Sequence, residues 1–79
     1  MPKTTIRIQG QDYEITRDDI IRVARGNEPS PIKTYYVEVE GRRYPPKQLI
    51  RAATGTAEPF DSASARSALT KLGFIVKAI

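Results

Sequence analysis

Ile6-Arg7-Ile8-Gln9-Gly10-Gln11-Asp12-Tyr13-Glu14-Ile15 and, further along, Tyr35-Tyr36-Val37-Glu38-Val39-Glu40-Gly41-Arg42-Arg43-Tyr44 decide the fold. In each stretch apolar and polar residues alternate on the two sides of a dipeptide ending in glycine. A period of two puts one set of side chains on a buried face and the other in water, which is the signature of a half-buried strand. Gly10 and Gly41 tolerate the positive φ that a tight turn demands, so both stretches read as β-hairpins. A two-residue turn at Gln9-Gly10 sets Ile6 opposite Tyr13 and Arg7 opposite Asp12. The same geometry at Glu40-Gly41 sets Val37 opposite Tyr44 and Glu38 opposite Arg43.

A helix follows each hairpin. Thr16 is a good N-cap, and Asp18 and Asp19 complement the dipole in the first turn. Ile20, Ile21 and Ala24 form the buried stripe, and Gly26 ends the helix. Asn27 to Lys33, with Pro29 and Pro31, reads as a loop. After the second hairpin, Pro45 and Pro46 cannot extend a strand ladder but suit a helix entry, where the missing N–H is not needed. The predicted second helix is Lys47 to Thr54, closed by Gly55. A third helix, capped by Asp61 or Ser62, buries Ala65, Ala68, Leu69 and Leu72. Gly73 stops it, and Phe74-Ile75-Val76 reads as a last strand.

The order ββα-ββα followed by a third helix and a C-terminal strand predicts one small α+β domain spanning 1–79. Its expected core is Ile6, Ile8, Ile20, Ile21, Val37, Val39, Leu49, Leu69, Leu72 and Phe74, with Tyr44 closing the edge. Ile6-x-Ile8-x-Gly10-x-x-Tyr13 matches Val37-x-Val39-x-Gly41-x-x-Tyr44. After a two-residue contraction, Ile20-Ile21-Arg22-x-Ala24-x-Gly26 matches Leu49-Ile50-Arg51-x-Ala53-x-Gly55. Two origins give such a pattern: an internal duplication of 5–26 and 36–55, or convergence of any hairpin-plus-helix unit.

Composition narrows the function. The 79 residues contain neither cysteine nor histidine. Disulfides and thiolate metal sites are excluded, and the commonest general base and metal ligand are missing. Ile, Val, Leu and Phe make up 18 residues, enough for one core. Ser62, Ser64 and Ser67 fall at a helix start, where caps explain them. Asp18 and Asp19 are adjacent and point to different helix faces. The five glycines are isolated, so no phosphate-cradling loop exists. The expectation is a protein without catalytic residues, cofactor or metal, and without a small-molecule substrate. No apolar run is long enough for a membrane helix or a signal peptide, so the chain reads as unexported and cytoplasmic.

Charge is unevenly placed. Residues 1–40 carry six Lys/Arg against seven Asp/Glu, whereas residues 41–79 carry seven Lys/Arg against only Glu58 and Asp61. Such asymmetry points to a basic face and an anionic partner. Arg42, Arg43, Lys47 and Arg51 gather at the entry of the second helix, with Lys47 and Arg51 on one helix face. They are the candidate nucleic-acid contacts, with Arg66 and Lys71 as outlying contributors on the third helix. There Ser62, Arg66 and Thr70 recur at helical spacing, a pattern shared by a backbone-contacting face and an ordinary solvated one. RNA modules usually display aromatic platforms or a GXXG loop, and neither is visible, so DNA is preferred. The competing reading is a protein–protein adaptor or inhibitor, self-associating or not, for which an exposed Tyr36 would be the contact.

Gly41-Arg42-Arg43-Tyr44-Pro45-Pro46-Lys47, an aliphatic-alanine helix, Phe60, and Leu69-x-x-Leu72-Gly73-Phe74 together resemble the small head domain of McrA-type HNH restriction endonucleases and similar stand-alone small bacterial proteins. The resemblance covers about residues 35–76. It implies an accessory module in a DNA-handling or restriction-modification setting. It does not extend to the nuclease, whose chemistry needs histidine.

Overall fold

The computed structural model describes residues 2–79. Its order is β1 (Lys3–Ile8), β2 (Gln11–Thr16), α1 (Arg17–Arg25), β3 (Tyr35–Val39), β4 (Arg42–Tyr44), α2 (Pro46–Thr54), α3 (Ser62–Lys71) and β5 (Val76–Ala78). The architecture is α+β, as the alternation predicts. β1 and β2 form a two-stranded sheet, and a separate three-stranded sheet runs β4-β3-β5.

Both hairpins adopt the expected register, with Ile6 opposite Tyr13, Arg7 opposite Asp12, Val37 opposite Tyr44 and Glu38 opposite Arg43. Their turns are alike, with φ of 51° and 79° at Gln9-Gly10 and 53° and 78° at Glu40-Gly41. Positive φ at both central residues matches the twist of the flanking strands, which is why the non-glycine residues accept it. Their side chains are tied down as well. Gln9 Nε2 donates to the Pro59 carbonyl at 3.0 Å, and Glu40 accepts from Arg25 at 2.6 Å.

The core draws on every layer. Ile6, Ile8, Ile20, Val37, Val39, Leu49, Leu69, Leu72 and Phe74 are buried as expected, joined by Ile15, Ala24, Ile50, Ala65 and Ala68. Three expectations change. Ile21 is only partly buried, because the stripe of this short helix is narrow and centres on Ile20 and Ala24. Tyr44 sits inside the core, with 1% exposure, and not at its edge. Its hydroxyl donates to the carbonyls of Ala24 at 2.5 Å and Asn27 at 3.3 Å, so the polar tip is satisfied where α1 ends.

The third change is the last strand, which is Val76–Ala78 and not Phe74–Val76. Phe74 belongs to the end of α3 instead. Gly73, at φ 91°, and Phe74 donate back to the carbonyls of Thr70 and Leu69. That pair of bonds is a Schellman closure, with Phe74 packing beside Leu69 in the core. Arg17 seals the same corner, stacking 4.3 Å from the Phe74 ring and donating to the Leu72 carbonyl at 3.2 Å.

α1 starts with a reciprocal cap. The Asp19 N–H donates to Thr16 Oγ1 at 3.1 Å, and the Thr16 N–H donates to Asp19 Oδ2 at 2.9 Å. The Thr16 backbone bond is the main reason the Asp19 carboxyl titrates below its ordinary range, with Arg22 at 2.6 Å adding to it. A carboxyl whose folded pKa is depressed contributes stability that is present above its unfolded pKa and is lost as pH falls through the folded one. Wild type should therefore lose stability on acidification through the lower carboxylate range more steeply than Asp19→Asn. Urea midpoints across that range check this, and parallel curves would refute it.

Candidate nucleic-acid interface

Most rings of this protein carry a cation. Arg42 lies 5.7 Å from the Tyr44 ring centre, Arg43 4.7 Å from Tyr36, and Arg66 4.0 Å from Tyr35. Lys47 and Arg51 share Phe60, at 5.5 and 5.0 Å. Contacts of this kind between a cation and a ring within about 6 Å thus recur across the described residues. Five of the six candidate contacts lie beside a ring, and among these six Lys71 alone does not.

The sequence-predicted cluster divides in space. Arg42 turns toward the end of α1 and the loop after it, where it meets the Ala24 carbonyl at 3.4 Å and Glu28 at 3.6 Å. Arg43 faces the side of the sheet that carries Tyr36 and Glu38. It forms no ion pair with Glu38, its cross-strand neighbour, and stacks on Tyr36. Tyr36 is consequently half-buried, which weakens its case as an exposed interface residue. Lys71 lines a different groove, beside Thr5, Arg7 and Ser67.

Lys47, Arg51 and Arg66 do come together. Lys47 and Arg51 reach Phe60 from one face of α2, as their spacing predicts. Arg66 reaches Tyr35 from α3. Its Nε donates to the Ser62 carbonyl at 3.3 Å, and Thr70 Oγ1 donates to the Arg66 carbonyl at 2.9 Å. The polar stripe of α3 thus bonds largely to its own backbone. Asp61 stands among these cations. It caps α3 by accepting from the Ser64 N–H at 2.7 Å. Hydrogen bonds from Ser64 chiefly, then the charges of Lys47 and Arg66, hold its carboxyl below the ordinary aspartate range.

A groove of about 380 Å³ opens next to this cluster. Pro31, Tyr35, Pro45 and Pro46 give it apolar walls, and Lys33 and Lys47 are the charged residues lining it. Ser62 brings the start of α3 to the same rim. Gln48 ties the wall to the preceding loop by two hydrogen bonds. Its Oε1 accepts from the Ser30 N–H at 2.8 Å, and its Nε2 donates to the Glu28 carbonyl at 2.7 Å. Lys33, Tyr35 and Phe60 are the site residues that sequence reasoning missed. Lys33 reads as an ordinary loop lysine, Tyr35 as a core-facing strand residue, and Phe60 only as part of the loop before the third helix.

Among the described residues, ion pairs are more frequent in residues 1–40, where of the cations only Arg17 and Lys33 lack one, than in residues 41–79, where only Arg42 has one. Lys3, Arg7, Arg22 and Arg25 each meet a carboxylate. Among the described residues, Lys33, Arg43, Lys47, Arg51, Arg66 and Lys71 meet none within 4 Å. Also among the described residues, no group of three acidic side chains is placed to hold a metal, and no helix is long and apolar enough to cross a membrane. No family model, curated protein or solved structure matches this chain.

Proposed function

We propose that the domain is a non-enzymatic nucleic-acid-binding module, with DNA preferred, that grips backbone phosphates through Lys47, Arg51, Arg66 and the neighbouring Lys33. The observation that carries this is the set of cations left without carboxylate partners in the C-terminal half, three of them fixed on adjacent rings. A stacked guanidinium keeps its N–H edge available, so stacking positions the charge without consuming it. Arg43 and Lys71 extend the basic surface on other faces. Arg42 contributes least, being paired with Glu28. The resemblance of residues 35–76 to a restriction-endonuclease head domain favours a DNA-handling role in restriction or defence.

The test is a salt titration on one labelled duplex. Four phosphate contacts give a slope of log K against log salt of about −3.6, from roughly −0.9 per contact. Lys47→Ala should reduce that slope by about one and weaken binding to all sequences alike. Asp61→Asn should act in the opposite direction, tightening binding while preserving the cap, because asparagine caps helices as well as aspartate does. A flat salt response, or identical binding by all three proteins, refutes the reading.

A second reading has its own observation. Ile75 and Ile79 are each 72% exposed, beside β5, and exposed apolar side chains suit a protein contact. Under that reading the chain is an adaptor or self-associates. Concentration-dependent dimerisation with weak heparin retention would favour it over the nucleic-acid reading.

A further inference from the structure

We propose that the groove between the 30–34 loop and the start of α2 is a subsite for one unpaired nucleobase, with Lys33 and Lys47 on its flanking phosphates. The inference rests on the nucleic-acid reading above and makes it specific: the preferred target is a strand with an unstacked nucleotide.

The chemistry of the groove selects this occupant. Its volume of about 380 Å³ lies at the small end of the range for small-ligand sites, a scale that suits one base and not an extended helix. Pro31, Pro45, Pro46 and Tyr35 offer apolar and aromatic walls to a flat ring. Ser30, Thr34 and Ser62 also line it, polar residues suited to the edge of a base. The charged lining residues are both lysines, neither of which has a carboxylate within 4 Å among the described residues. An apolar slot with cationic rims is complementary to an aromatic ligand bearing anions on either side. A nucleotide within a strand is that ligand, whereas a base stacked inside a duplex cannot enter.

The site is also built before its ligand arrives. Gln48 ties the loop through Ser30 and Glu28, Arg66 sits 4.0 Å from the Tyr35 ring, and the two prolines are rigid. Lys47 belongs to both the groove and the Phe60 cluster, so a strand leaving the subsite runs directly onto Arg51.

Fluorescence anisotropy with three DNA probes of one sequence tests the proposal. They are a plain duplex, the duplex with one bulged nucleotide, and the same bulge made abasic. The bulged probe should bind roughly tenfold more tightly than the plain duplex, the gain expected of one stacked base. The abasic bulge bends similarly but has no base, and it should lose that gain. Tyr35→Leu should erase the difference between the bulged and plain-duplex probes, while any loss of salt slope from the unstacked Arg66 falls on both probes alike. The abasic comparison uses wild-type protein, so it stands even if that variant misfolds. Equal affinity for bulged and abasic probes overturns the subsite and leaves phosphate binding intact. No salt-dependent binding to any probe overturns both. A proline-rich acidic peptide that binds the groove, with no bulge preference, assigns it to a protein partner.

Discussion

Leu69→Ala should cost about 2–5 kcal/mol, as truncation of a fully buried leucine does. A chain of this length has a total stability on the order of 4–12 kcal/mol, at roughly 0.05–0.15 kcal/mol per residue, so this one change removes a large share. Leu69 is completely buried on the α3 face that also carries Ala65 and Ala68. Its neighbours are poorly placed to collapse into the space. Its carbonyl anchors the Phe74 N–H at 3.1 Å, and Arg17 braces the next turn through Leu72 and Phe74. A cavity held open in this way keeps its full penalty. Equilibrium urea denaturation measures it, and a loss under about 0.5 kcal/mol would mean that α3 is not packed as described.

Tyr44→Ala should be comparably severe, at about 3–5 kcal/mol, and Tyr44→Phe separates its two contributions. The ring fills the space between the second hairpin and the end of α1, and the hydroxyl bonds there to the Ala24 and Asn27 carbonyls. Removing the hydroxyl alone should cost about 1 kcal/mol, since the Asn27 N–H still reaches the Ala24 oxygen at 3.4 Å. The ring therefore dominates. If the phenylalanine variant were as unstable as the alanine variant, the hydrogen bonds and not the packing would be what joins these elements.

The hairpins were legible because a period of two and a following glycine are local signals, and register follows from them. Caps were legible for the same reason, although the reciprocal bond from Asp19 was not, because the usual signature of that box is a glutamate or glutamine three residues after the cap. β5 was misplaced because Phe74-Ile75-Val76 is the most apolar run there, while hydrogen bonding commits Phe74 to the closure of α3. Ile15 and Ile50 lie outside the expected core because each adjoins another apolar candidate, Tyr13 on the same strand face and Leu49 in the same helix turn, and local pattern does not tell how many of them tertiary packing covers. For the binding face, sequence showed which residues are cationic and that Lys47 and Arg51 share a helix face. It could not show that Arg66 belongs with them while Arg43 and Lys71 do not. Those assignments depend on Tyr35 and Phe60, rings far away in the chain that only tertiary packing brings near.

β3 has neighbours of two kinds. It meets β4 across a two-residue turn, and it meets β5 through pairs such as Val37 with Val76, which span much of the chain. Closing a short loop costs little configurational entropy and a long one costs more, so the two seams cannot have equal access to the unfolded ensemble. The hairpin and its helix can nucleate from local contacts, whereas the β3–β5 seam waits until α2 and α3 have shortened the intervening path. The sheet is thus expected to be completed last at its most remote strand, and weakening the Val37–Val76 pair should speed unfolding more than it slows folding.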